Sequence, residues 1–201
     1  LPAILLVLAC CPAPSPAAEP INVVVWDEQQ PRQKEAYDNF LGNEIASYLS
    51  KQSGLNVRST NLSAPGKGIA DNVLDSCQVL VWWGHVRQAE ITPEEGKQIV
   101  ERIKRGQLSL IALHSAHWST PFVEAMNERT RMDARRTFPA RPGEKIEFLE
   151  VAPPKRYTVP GRDAPITPRF TARKFPDNVT RVTTHLPYCC FPAYRPDGKP
   201  R

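Results

Sequence analysis

The sequence predicts an α/β fold: a parallel sheet of the flavodoxin-like type with helices on both faces. Three observations carry that expectation. Four short strand-like runs, INVVVW at 21–26, LNVRST at 55–60, QVLVWW at 78–83 and LSLIALH at 108–114, are spaced so that a helix or turn fits between each pair. The stretch 34–49 places Ala36, Phe40, Leu41, Ile45, Tyr48 and Leu49 at helical spacing. Thr92-Pro93-Glu94-Glu95 is a helix start, and successive strand, helix, strand units of this length give parallel strands.

Each element has its own reason. The first run is β-branched and unbroken, as in a central strand covered on both faces. Gly54 stands just beyond the 34–49 helix, where a left-handed cap is needed. The second run is more polar, hence more exposed, and 69–74 reads as a short helix or turn. The third run is buried. Because successive strand residues face opposite ways, one of Trp82 and Trp83 belongs to the core while the other is placed to floor a pocket. Thr92 caps the next helix, Pro93 and the two glutamates suit its first turn, and Gly106 closes it. The fourth run reads as another buried strand. Beyond Glu128 the alternation is lost: 12 of the 21 prolines fall between Pro139 and Pro200, leaving strand-like pieces only at 145–151 and 179–186. The expected organisation is a signal segment at 1–18, an α/β core at 19–128, and a Pro-rich, irregular, basic extension at 129–201. The core is expected to continue past Arg201.

Composition bounds the function. The chain has 201 residues, 41% hydrophobic and 23% charged, the balance of a soluble globular protein. The apolar start, Leu1 to Ala9, falls well short of the roughly 20 residues that span a bilayer. It resembles a secretory signal whose beginning lies outside this sequence, cut before Glu19, which implies export to the periplasm or the extracellular space. Val7-Leu8-Ala9-Cys10 is a loose lipoprotein-type alternative, and only lipidation of Cys10 would tie the chain to a membrane. Residues 19–128 carry a net −4 and residues 129–201 a net +9. That basic tail lacks zinc-finger spacing or an RNA-binding aromatic signature, so solvated surface is expected and nucleic acid is not. Of five cysteines, Cys10 and Cys11 leave with the signal, Cys77 suits a buried position, and Cys189 and Cys190 are adjacent, a pairing that closes only a strained ring. Free, buried thiols are expected.

In a parallel sheet all carboxyl ends lie on one edge, and ligands bind outside it. Here that edge gathers Trp26-Asp27-Glu28, Trp82-Trp83-Gly84-His85 and His114-Ser115-Ala116-His117-Trp118, including three of the four histidines. Each piece alone has a plainer reading: His85 as a hydrogen-bonded loop residue, Asp27 and Glu28 as turn caps. Together they suggest a site. His85, His114 and His117 with a nearby carboxylate suit a divalent metal such as zinc or manganese, with a coordination position left open. Without metal, Glu28 suits a general base and a histidine a general acid on a polyol or keto-sugar, with indole faces stacking on the ring. The residues leave both open. There is no GxSxG, HExxH or GxGxxG, and Gly66-Lys67-Gly68 lacks phosphate-loop spacing, which disfavours serine hydrolases, zincins, nicotinamide enzymes and P-loop nucleotidases.

VVVWDE at 23–28, VLVWWGH at 79–85 and LIALHSAHWS at 110–119, in that order and spacing, resemble the ThuA-like trehalose-utilisation family over 21–126. That resemblance implies the class I glutamine amidotransferase-like fold and a role in disaccharide metabolism, with a small carbohydrate as partner and a homodimer as the expected assembly. It carries over Glu28, His85, His114 and His117 as site residues, Glu28 and His114 being the catalytic candidates, with Trp83, Ser115 and Trp118 as the flanking wall; Arg87 is a further substrate-binding candidate whose neighbours differ from the family pattern. His114 stands where the amidotransferases carry their nucleophilic cysteine, so amidotransferase activity is not expected. A sugar-acting hydrolase, lyase or isomerase is one expectation; a non-catalytic sugar-binding or assembly module is the other.

Overall fold

A computed structural model describes residues 19–84, 86–151, 170–174 and 179–185. The expectations about segment 1–18, the cut before Glu19, Cys10, Cys11, His85, Cys189 and Cys190 fall outside the described residues. So do those about the side chains of Ser115 and His117.

Four strands, β1 (Ile21–Asp27), β2 (Leu55–Asn61), β3 (Val79–Trp83) and β4 (Ser109–Ala112), form one all-parallel sheet in the order β2-β1-β3-β4. The register places Val25 between Ser59 and Val81, and Val81 beside Ile111. The helices are α1 (Leu41–Leu49), α2 (Asp71–Leu74), α3 (Pro93–Lys104) and α4 (Thr120–Thr137). Both faces of the sheet are covered. On one, Val24, Trp26, Leu80 and Trp82 pack with Leu74 of α2 and Ile99 of α3; on the other, Val23, Val25 and Val81 pack with Ala46, Ile45 and Leu49 of α1. The β-branched continuity of β1 thus answers burial on two sides. The α/β class and the parallel sheet are as the sequence indicates.

Local chemistry sets the boundaries. At α3 the Thr92 hydroxyl accepts from the Glu95 N–H at 3.2 Å while the Glu95 carboxylate accepts from the Thr92 N–H at 2.8 Å, a complete capping box with Pro93 in the first turn. The helix expected over 34–49 is shorter. Pro31–Glu35 is a 3-10 turn, and α1 starts only at Leu41, because its cap comes from elsewhere: Phe40 offers no capping oxygen, and Asp27 of β1 accepts the Gly42 N–H instead. Gly42 is required there, since a Cβ would stand 2.5 Å from the Asp27 Cβ.

Two further expectations are corrected. β4 reads as a buried strand but lies at the sheet edge, with no partner beyond it among the described residues and Ile111 48% exposed. The alternation does not end at Glu128, for α4 runs through to Thr137. Nor is the region beyond wholly irregular: β5 (Lys145–Val151), β6 (Phe170–Lys174) and β7 (Val179–His185) form a mixed sheet in the order β5-β7-β6. Two of these strands match the strand-like pieces in the sequence; β6 does not. Among the described residues no helix is long and apolar enough to cross a membrane.

Candidate functional site

All four strands of the main sheet deliver their carboxyl ends to one edge, and there the chain is most constrained. Asp27, the last residue of β1, is wholly buried. Its Oδ1 accepts from the Gln29 N–H at 2.7 Å and from Gln33 Nε2 at 2.8 Å, and its Oδ2 accepts from the Gly42 N–H at 2.7 Å. Gln33 in turn accepts the Leu41 N–H on its Oε1 at 2.9 Å. This carboxylate is therefore the remote N-cap of α1, and it complements the positive end of that helix.

Glu28 is 2% exposed and faces the other way, toward the loop leaving β3. Its own N–H donates to the Trp83 carbonyl at 3.1 Å. Its two carboxylate oxygens accept the Val86 and Arg87 N–H groups, each at 3.2 Å, and Gln30 Nε2 donates to Oε1. The side chain lies against Gly84, where an added Cβ would stand 2.8 Å from Glu28 Cγ and Oε2. A carboxylate with backbone amides on both oxygens is an efficient clamp, because charge-assisted bonds are roughly twice as strong as neutral ones. It fixes the segment on either side of position 85.

Trp82 and Trp83 divide as their alternation requires. Trp82 stacks on Trp26 in the core, ring centroids 3.7 Å apart and 11° from parallel, while Trp26 Nε1 donates to the Lys67 carbonyl at 2.8 Å. Trp83 is half-buried at the edge, its ring 5.9 Å from that of His114 and tilted by 51°. The indole nitrogens of Trp82 and Trp83 are both buried with no acceptor among the described residues. An orphaned donor of this kind costs about 1–3 kcal/mol until a ligand or water meets it.

His114 occupies the turn from β4 into the 3-10 segment His114–Trp118, which leads directly into α4. The preceding Leu113 N–H still donates to the Trp82 carbonyl at 3.0 Å, so the turn is anchored to β3. His114 itself has φ 45° and is exposed. A histidine in the left-handed region is strained relative to glycine, and such strain gathers at functional turns. Trp118 is half-buried at the end of the 3-10 segment.

Arg87 is at the surface, its guanidinium bound to both oxygens of Glu90 at 2.5 and 2.8 Å; this bond raises the arginine and lowers the glutamate relative to their ordinary values. Lys67, also at this edge, sits 2.8 Å from both oxygens of Glu95. Burial pushes Glu95 up, but the bonds from Lys67 and Thr92 outweigh it and leave the carboxyl below its ordinary 4.5. Because the folded value is lowered, the associated stability is present above that ordinary value and disappears as pH falls through the lowered one. Both partners are partly exposed, so the effect is at most about 1 kcal/mol. Chemical denaturation should show the parent losing more stability than Glu95→Gln between neutral and acid pH.

The structure thus brings Glu28, Trp83 and His114, with the flanks of position 85, to a common edge, while Arg87 is engaged with Glu90 beside it. Among the described residues no three His, Cys, Asp or Glu side chains group as a metal site. Two shallow hollows of about 320 Å³ lie elsewhere, along α3 and on α4. Sequence reasoning missed Gln33, Lys67 and Glu95; the Gly-Lys-Gly triplet was the visible trace of a loop in which all three residues have positive φ. No family model matches this chain, and no curated protein matches it either, so any functional reading rests on the geometry of this edge.

Proposed function

We propose that the chain is an exported protein of carbohydrate metabolism that acts on a disaccharide or keto-sugar at the carboxyl edge of its main sheet, as a ThuA-like enzyme without a cysteine nucleophile. The observation that carries this reading is the pairing of His114 with Trp83: an exposed imidazole on a left-handed turn, 5.9 Å from an indole whose N–H has no acceptor among the described residues. An indole face suits the apolar face of a sugar ring, its N–H suits a hydroxyl, and an imidazole is the side chain best matched to proton transfer near neutral pH.

His114 is assigned the general acid or base. Trp83 and Trp118 are assigned the stacking wall, with Ser115 as a hydroxyl contact beside His114. Glu28, proposed from sequence as a base, is better suited to hold the Gly84–Arg87 loop, since both of its oxygens already accept amide hydrogens. If zinc or manganese is bound, His85, His114 and His117 are its ligands, and the metal would polarise a substrate oxygen. Chain turns 84–87 and 114–118 would then supply ligands from two strand ends.

The engagement of Glu28 also favours the second reading, a sugar-binding or assembly module on an amidotransferase-like frame, because it removes one catalytic carboxylate from service. Incubating the purified chain with trehalose and with its keto form, with and without added zinc or manganese, separates the two. Conversion to new products is the result expected of the enzyme. Saturable binding without conversion would assign the module, and neither binding nor conversion would end the carbohydrate reading.

A further inference from the structure

Among the described residues three that are not glycine have a left-handed backbone: Gln29 at φ 52°, Lys67 at φ 56° and His114 at φ 45°. All three lie in segments leaving the carboxyl ends of strands, after β1, β2 and β4 respectively. At the opposite edge the corresponding positions, just before β2 and β4, are Gly54 and Gly106, which adopt this conformation without steric cost. A side chain in that region carries strain that glycine would avoid, so its presence points to a use for the side chain.

Two of the three are accounted for. The Lys67 ammonium is held by both Glu95 oxygens, and its carbonyl accepts from Trp26; the His114 imidazole lies against Trp83. Gln29 is different. Its N–H donates to Asp27 Oδ1 at 2.7 Å, which fixes its backbone, yet its half-buried carboxamide makes no hydrogen bond to any described residue. Asp27 before it caps α1, and Glu28 clamps the Gly84–Arg87 loop, so two buried carboxylates hold the main chain on which Gln29 is carried.

We propose that Gln29 is a ligand-binding residue of the carboxyl-edge site, presenting its carboxamide to neighbouring hydroxyls of a polyhydroxylated ligand. A carboxamide offers one acceptor oxygen and two donor hydrogens, the complement of a vicinal diol. Because the Gln29 N–H is held by Asp27, the backbone position is fixed while the carboxamide can turn toward what it binds. The inference rests on the carbohydrate reading above and adds to it a residue that no motif in the sequence marks.

The test is Gln29→Gly in the full chain, read by thermal unfolding and by calorimetric titration with trehalose and with sucrose as probes. Glycine keeps the N–H that bonds Asp27, accepts φ 52° without strain and removes the whole side chain, carboxamide included. The expected result is an unfolding midpoint equal to or above that of the parent, together with a loss of affinity of at least about tenfold for the sugar the parent binds. Undiminished affinity in Gln29→Gly would overturn the assignment of Gln29 while leaving the carbohydrate reading in place. A lowered midpoint accompanying the lost affinity would make Gln29 a structural residue and overturn it as well. A parent chain that binds neither sugar would bring down the carbohydrate reading itself and this inference with it.

Discussion

Asp27→Ala is expected to lower the unfolding free energy by about 3 kcal/mol or more. The substitution strips the acceptor from three donors at once, the N–H groups of Gln29 and Gly42 and the Gln33 amide, and an orphaned buried group costs about 1–3 kcal/mol. It also leaves α1 without a cap, since Phe40 cannot supply one. Set against a total stability of about 5–15 kcal/mol for an ordinary domain, such a loss is large. Asp27→Asn discriminates charge from shape. The amide can still accept at one oxygen, but its NH₂ would face a donor, so an intermediate loss is expected. Equilibrium denaturation of the three proteins, with circular dichroism to follow helix content, measures the series. A cost for Asp27→Ala within about 0.5 kcal/mol of zero, the usual range for an uninvolved surface position, would contradict the remote-cap assignment.

His114→Ala is expected to reduce sugar turnover by about 10²–10⁴-fold, the range typical of a removed general acid or base. The fold should be largely retained, because His114 is exposed and the Leu113 N–H before it is held by the Trp82 carbonyl. If the protein is instead a binding module, Trp83→Ala will abolish affinity and His114→Ala will reduce it only modestly. Kinetics and calorimetry on the same two variants decide between these outcomes.

Much of the sheet was legible because burial on two faces leaves a composition trace. The unbroken β-branched run 21–26 and the apolar run before Trp83 could not serve on an exposed surface, and both are strands to within a residue of expectation. What went unread lies where tertiary contacts overrule local pattern. The start of α1 depends on Asp27 and Gln33, distant in the chain from the helix itself, so periodicity alone extended it backward to 34. α4 was invisible for a different reason: its buried positions include Glu124, Asn127 and Thr130, so no apolar stripe announces it. β4 shows the opposite failure, since its apolar residues promise burial that an edge position does not deliver.

The same division runs through the site. The convergence of its segments on one edge followed from topology, because a parallel sheet sends every carboxyl end to one edge, and the alternation of Trp82 and Trp83 forecast that one of them is core. Of the two acidic residues, Asp27 takes the plainer reading of a cap, while the role of Glu28 did not follow. Asp27 and Glu28 are adjacent in sequence, yet one caps a helix and the other grips a loop, a difference set by which donors each meets after folding. Left-handed backbone at Gln29 and His114 was equally hidden, since neither residue type advertises it.

Ligand is expected to bind at the carboxyl edge of the β2-β1-β3-β4 sheet. Titrating isotopically labelled protein with the sugar it binds, and following amide and indole resonances, locates the site without reference to chemistry or metal. The predicted result is a set of shifts confined to Gln29, the Trp83 indole, His114, Trp118 and the amides of Val86 and Arg87. Shifts clustered instead around Asn22, Asn56 and Gln78 at the amino edge would contradict it.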